Sequence, residues 1–260
     1  MGTSNPFAQA IRARRVQLGL FLGLASPFSA EICATSGADW LLIDGEHGPN
    51  DLQTIAAQLQ AIAAHPPTHA IARVPYGFGD EGTSLIKQYL DLGVQTIMVP
   101  MVETAEQAGA LVRAMRYPPE GVRGASVSRA SLWRQSVDYA REANDNVCLL
   151  VQIESLEGIR NLESIAVTEG VDGVFIGPGD LAADMGYAGN SGAPQVREVV
   201  RDAIKRVIAC GKAAGTMSMN EVFAREYLDA GVTFISVGFD ASLLVKSSEA
   251  AIRIFRQPAG

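Results

Sequence analysis

The sequence predicts a (β/α)8 barrel, and three observations carry the expectation. Short apolar runs alternate with helix-period segments along the chain, the signature of repeated βα units. Eight such units follow one another with no linker or low-complexity segment between them, so residues 1–260 read as one domain. The length of 260 residues fits the roughly 250 that such barrels commonly need. An open doubly wound sheet is the lesser alternative.

The elements follow in order. A helix over Pro6–Gln17 precedes a first strand at Gly19–Gly23. Trp40–Asp44 is the clearest strand, because four large apolar residues in a row read as buried on both faces. From Asp51 to Leu59 the apolar residues recur at i, i+3, i+4, and Asn50 or Asp51 can cap that helix. Further strands are expected at Ala70–Val74, Thr96–Pro100, Cys148–Glu154, Gly173–Gly177, Ala214–Ser218 and Phe234–Gly238. Helices fall between them at Ser84–Leu92, Thr104–Met115, Leu156–Val167, Gln195–Cys210 and Glu221–Ala230. Gly93, Gly170 and Gly231 suit left-handed caps at helix ends. A last helix, Ala241–Phe255, covers one end of the barrel as Pro6–Gln17 covers the other. The one irregular connection, Arg116–Asn146, is long enough for an active-site loop.

Composition narrows the function. With 48% apolar and 19% charged residues the chain has the balance of a protein with a large core. The net charge of −7 argues against nucleic acid as a partner, and no basic run contradicts it. Cys33, Cys148 and Cys210 are odd in number and widely spaced, which reads as inert thiols in a reducing compartment. No apolar signal core opens the chain, and no apolar run approaches the ~18 residues of a membrane span. A cytoplasmic protein is expected.

The carboxyl ends of barrel strands carry the chemistry in this architecture. The second strand delivers Asp44 and then Gly45, Glu46 and His47, and the third delivers Arg73. Gln152 and Glu154 are two residues apart on the fifth and share a face. The sixth runs into Gly177-Pro178-Gly179-Asp180, the seventh ends near Met217 and the eighth at Gly238–Asp240. Taken singly, Asp180 could merely cap a helix and Glu154 could merely pair with an arginine. Five polar groups on one rim are harder to dismiss. Glu154 and Asp180, on adjacent strands with few cysteines or histidines nearby, suggest an oxygen-rich site for Mg2+ or Mn2+. Gly177-Pro178-Gly179 can form a backbone nest for a carboxylate or phosphate.

Other residues are read by exclusion. Lys87, Lys205 and Lys246 sit on helices and Lys212 precedes its strand, so none is placed to form a Schiff base. His65 and His69 flank Pro66-Pro67 as solvated loop residues, which leaves His47 for general acid–base work. Glu46 receives no role, since extended geometry would turn it away from His47.

In order, these residues resemble the metal-dependent (class II) pyruvate aldolases that cleave 4-hydroxy-2-oxoheptane-1,7-dioate. The similarity runs from about Asn5 to Ile254. It rests on Leu42-Ile43-Asp44-Gly45-Glu46-His47, Ile86–Gly93, Val99-Pro100-Met101-Val102 and Arg116-Tyr117-Pro118-Pro119. It continues through Leu150–Glu154, Gly173–Leu181 and Asp184-Met185-Gly186-Tyr187. The resemblance implies a barrel whose last helix swaps between partners, in a homohexamer with active sites at subunit interfaces. It implies Glu154 and Asp180 as ligands of Mg2+, Mn2+ or Co2+, His47 as acid–base residue and Arg73 on the carbonyl oxygen of an oxo acid. Asp44 would support the metal-water network, and Asp91 from a neighbouring subunit would pair with His47. Gln152, Gly177, Pro178, Gly179 and Met217 would bind substrate, the Gly179 amide holding the pyruvyl carboxylate. Asp91 has a plainer reading, an ion pair with Lys87 four residues earlier.

The products implied are pyruvate and an aldehyde. Three departures leave that aldehyde open: Phe21 in place of a usual tryptophan, a longer Arg73–Gly82 segment, and an Arg123–Arg129 loop about two residues short. A 2-dehydro-3-deoxy sugar acid aldolase of glucarate or rhamnonate type is an alternative. A lyase for coenzyme A thioesters would want a basic nucleotide site, and only Arg12-Arg14-Arg15 clusters. A non-catalytic carboxylate-binding barrel is the rival outside enzymes, and the joint presence of base, arginine and both carboxylates argues against it.

Overall fold

The structure is a computed structural model and describes residues 4–256. The chain runs α1 (Pro6–Arg12), β1 (Gln17–Leu22), α2 (Pro27–Ala34), β2 (Trp40–Asp44), α3 (Leu52–Ala63), β3 (His69–Arg73) and α4 (Gly79–Asp91). It continues with β4 (Thr96–Val99), α5 (Ala105–Met115), α6 (Tyr139–Asn146), β5 (Cys148–Ile153), α7 (Leu156–Arg160), α8 (Leu162–Ala166) and β6 (Gly173–Ile176). Then come α9 (Pro178–Asp184), α10 (Pro194–Ala209), β7 (Ala213–Met217), α11 (Glu221–Asp229), β8 (Phe234–Phe239) and α12 (Asp240–Arg256). Each strand pairs in parallel with the next, and β8 closes on β1, so the expected barrel is formed.

Two apolar layers hold it. One lies between strands and helices, where the stripes of α3, α4, α5 and α10 bury Ile55, Leu90, Leu111 and Val200. The other fills the barrel interior with Phe21, Trp40, Leu42, Leu150, Phe175 and Phe234. Helix α1 plugs the amino-terminal face: Phe7 meets the edges of Trp40 and Phe234 at centroid distances of 6.3 and 5.8 Å. Asn5 caps α1 by accepting from Ala8 N, and its amide donates to Thr96 Oγ1 on β4. With that face sealed, the carboxyl rim is left for chemistry.

Several expectations need correction. The first helix stops at Arg12 rather than Gln17, because Arg14 turns left-handed at φ 57° and Gln17 already pairs with Phe234. Leu156–Val167 is two short helices broken at Asn161. Helices α2 and α6 lie outside the expected segments, and α9 starts at Pro178, which puts Asp180 in its first turn rather than at its cap. His69 is not a loop residue but the first of β3, where it stacks on Phe7 and its Nε2 meets Thr96 Oγ1 at 2.9 Å. Burial lowers its pKa to about 4. The glycine caps are as expected, with φ of 95°, 91° and 101° at Gly93, Gly170 and Gly231.

The Arg116–Asn146 connection is not a loop over its own rim. It joins the end of α5 to the start of β5, and both lie at the amino-terminal face. Arg123 anchors it, buried between the rings of Tyr117 and Tyr139 at 4.4 and 5.7 Å and donating to Tyr139 Oη at 2.9 Å. Arg129 donates to Leu92 O at 2.7 Å and ties it to the end of α4.

Candidate active site

Strand β2 ends on Asp44 and β3 on Arg73, register partners in adjacent strands. They meet in a bidentate pair, with Nε to Oδ1 at 3.0 Å and Nη2 to Oδ2 at 2.8 Å. Burial works to lower the Arg73 pKa, but hydrogen bonds and charge from Asp44, with Glu46 and Glu154 beyond, outweigh it and raise it. The third nitrogen, Nη1, lies 3.4 Å from Gln152 Oε1 and 2.7 Å from Glu46 Oε2.

Gln152 and Glu154 share a face, as their spacing predicts, and Gln152 Nε2 donates to Glu154 Oε2. The other Glu154 oxygen accepts from Met101 N at 2.9 Å. Met101 stands at φ 55°, a left-handed conformation that costs an ordinary residue about 1–2 kcal/mol. Glu154 is only 2% exposed. Burial raises its pKa to about 7, against the hydrogen bonds from Gln152 and Met101, and the charges of Glu46 and Asp180 add to the rise.

Gly177, between β6 and α9, closes this corner. A Cβ there would lie 2.5 Å from Glu154 Oε2, so any larger residue would push the carboxylate from its place. Asp180 follows in the first turn of α9, exposed on the same rim. Pro178, Gly179 and Met217 line an adjoining cavity of about 550 Å³ whose outer wall includes Ser218, Asn220 and Lys246. Lys246 thus reaches the rim cavity from α12, which its helical assignment did not suggest.

His47 stands at the edge of this group with 61% of its side chain exposed. Glu46 is the residue missed. Glu46 N and His47 N both donate to Asp44 Oδ1, at 3.0 and 3.3 Å, which turns the chain and folds Glu46 inward. The Asp44-Gly45 dipeptide was the available signal, since it marks turns rather than extended chain. Asp91 is not brought to His47 within the chain. It ends α4 at the opposite face, where Ser126 Oγ donates to it at 2.9 Å and Arg123 Nη2 lies 3.5 Å away. Those residues, rather than Lys87, are its partners.

Among the described residues no group of three or more His, Cys, Asp or Glu forms a ready-made metal cage. The donor set nonetheless suits a hard cation. Three acids, Asp44, Glu46 and Glu154, act on one guanidinium, Asp180 adds its charge to Glu46 and Glu154, and a buried carboxylate with a raised pKa lacks a matching positive charge. Glu154 and Asp180 can offer oxygen ligands, with water and substrate oxygens completing the shell.

Residues 17–247 match the model of the HpcH/HpaI aldolase/citrate lyase family. A hydroxypyruvate/pyruvate aldolase of Deinococcus radiodurans is 53% identical over 97% of this chain and 90% of its own. A 4-hydroxy-2-oxo-heptane-1,7-dioate aldolase of Escherichia coli is 50% identical over 95% of this chain and 93% of its own. The crystal structure of an HpcH/HpaI aldolase/citrate lyase family protein from Burkholderia cenocepacia superposes with a TM-score of 0.93 at 38% identity, covering 98% of this chain and 100% of that one. The rim just described therefore sits in a chain that belongs to the HpcH/HpaI aldolase/citrate lyase family.

Proposed function

We propose that the protein reversibly cleaves a 4-hydroxy-2-oxo acid to pyruvate and an aldehyde, as an aldehyde-lyase. The observation that carries this reading is the convergence of Asp44, Arg73, Gln152 and Glu154 on one rim beside His47, and the aldolase names of relatives at about half identity support it.

Glu154 and Asp180 would hold a divalent ion, Mg2+, Mn2+ or Co2+, which supplies Lewis-acid polarisation of the oxo acid. Arg73, fixed by Asp44, directs Nη1 at the 2-oxo oxygen and stabilises the negative charge that develops there. Gly179 and its neighbours Gly177 and Pro178 receive the carboxylate, with Gln152 and Met217 bounding the acid. His47, directly or through a water, removes the C4 hydroxyl proton. The C3–C4 bond then breaks, its electrons pass into the enolate, and protonation at C3 gives pyruvate.

The exposure of His47 calls for cover from outside the chain. Asp91 of the partner subunit would supply it, pairing with the outer ring nitrogen. An apolar face on α12, with Leu244 61%, Ile254 70% and Phe255 88% exposed, is what a helix swapped between copies would bury. A homohexamer is the assembly this reading takes. Ser218, Asn220 and Lys246 in the outer cavity wall favour an aldehyde bearing hydroxyl or carboxylate groups, which keeps a 2-dehydro-3-deoxy sugar acid as the second substrate reading.

The test is pyruvate release from 4-hydroxy-2-oxo acids. Chelation should abolish it, and Mn2+ or Mg2+ should restore it. Undiminished turnover after exhaustive chelation, with borohydride trapping a pyruvate adduct on Lys246, would overturn the reading.

A further inference from the structure

We infer that Glu46 is a positioning residue for the proton-transfer step, holding the His47 ring beside Arg73 once the ring carries the proton taken from substrate. The inference rests on the aldolase reading above and adds a residue to it.

Geometry isolates Glu46 Oε2. It lies 2.7 Å from Arg73 Nη1 and 3.7 Å from His47 Nε2, so a single oxygen faces both groups. The Arg73 contact is poorly aligned, and Oε2 is buried with no true hydrogen-bond donor. A buried carboxylate oxygen left with a spare lone pair is costly unless another state of the site uses it. His47 can provide that state. Its ring has no other hydrogen bond or ion pair among the described residues, and Glu46 is far less exposed, 16% against 61% of the side chain.

Arg73 does not need Glu46 to stay in place, because Asp44 already grips it through two nitrogens. The effect of Glu46 therefore falls on the histidine. In cleavage, the O–H bond at C4 breaks and the proton moves to Nε2. The electron pair of the C3–C4 bond passes into the enolate, and the aldehyde carbonyl forms at C4. The ring is now a cation with Nε2 3.7 Å from Oε2, and the carboxylate stabilises that charge while the new N–H stays on the substrate oxygen. Glu46 thus interacts more strongly after proton transfer than before it, which is the condition for lowering a barrier. The outer nitrogen stays free for Asp91 of the partner subunit.

Decarboxylation of oxaloacetate provides the control. It generates the same enolate without removing a hydroxyl proton, so it needs Arg73 and the metal but not His47. The experiment compares wild type, Glu46→Gln, His47→Ala and the double variant in both reactions. Glu46→Gln should lower kcat for cleavage about tenfold more than it lowers decarboxylation, the reaction that reports whatever Glu46 does through Arg73. In the His47→Ala background the same substitution should cost nothing further. Equal losses in both reactions, or independent losses in the double variant, would overturn the inference while leaving the aldolase reading intact. If His47→Ala alone cleaves at the wild-type rate, the base assignment fails and this inference fails with it. Circular dichroism serves as the check on folding in every arm.

Discussion

Glu154 is a carboxylate where an unpaired carboxylate is costly, and the stability of the metal-free protein should report it. Its folded-state pKa of about 7 lies above the ordinary 4.5 because burial disfavours the charge. The folded state therefore binds this proton more tightly than the unfolded one. The resulting stabilisation is full below about pH 4.5 and disappears as pH rises through about 7. Chelated wild type should lose up to about 3 kcal/mol between pH 5 and pH 8 relative to Glu154→Gln, measured by urea denaturation. Added Mn2+ should reverse that loss, since a bound cation favours the ionised form, and a pH profile identical in the two proteins would contradict the account. Glu154, Gln152, Asp44 and Arg73 were legible in the sequence because strand ends and a two-residue period fix which way they point. Glu46 and Met101 were not. Their roles depend on a turn and on a left-handed backbone, neither of which has a hydrophobic period to announce it.

At the scale of elements, the β6–α9 turn decides whether the carboxylate corner can exist. Gly177→Ala would place a methyl 2.5 Å from Glu154 Oε2, 3.0 Å from its Cβ and 3.1 Å from Gln152 Nε2, so the Glu154 carboxylate itself would have to shift. Mn2+ affinity should fall about 10- to 100-fold while the barrel stays folded, as calorimetric titration and circular dichroism would establish. Unchanged affinity would mean that Glu154 is not a ligand. The strands were readable because buried parallel strands are continuous apolar runs, and β2 is buried along its whole length. Short helices were harder. Helix α9 has seven residues and opens on Pro178, too few to display a 3.6-residue period, and α7 and α8 merge into one pattern across Asn161. The α5–β5 connection is long enough for an active-site loop, but it joins a helix end to a strand start, which fixes it at the face opposite the chain's own rim.

The whole molecule presents chemistry at one end and, at the other, Asp91 held by Arg123 and Ser126 in the connection anchored to α4. No helix among the described residues is long and apolar enough to cross a membrane. The central claim is that cleavage proceeds at the His47 rim of a site completed by a second subunit, and mixed oligomers test it most directly. His47→Ala and Asp91→Ala proteins, each nearly inactive alone, would be co-assembled in equal amounts, confirmed as hybrids by mass, and assayed with Mn2+ for pyruvate release from a 4-hydroxy-2-oxo acid. Random assembly leaves about a quarter of the sites with both residues intact, so the mixture should recover up to about a quarter of the wild-type rate. Confirmed hybrids that release no more pyruvate than their parents would contradict the claim.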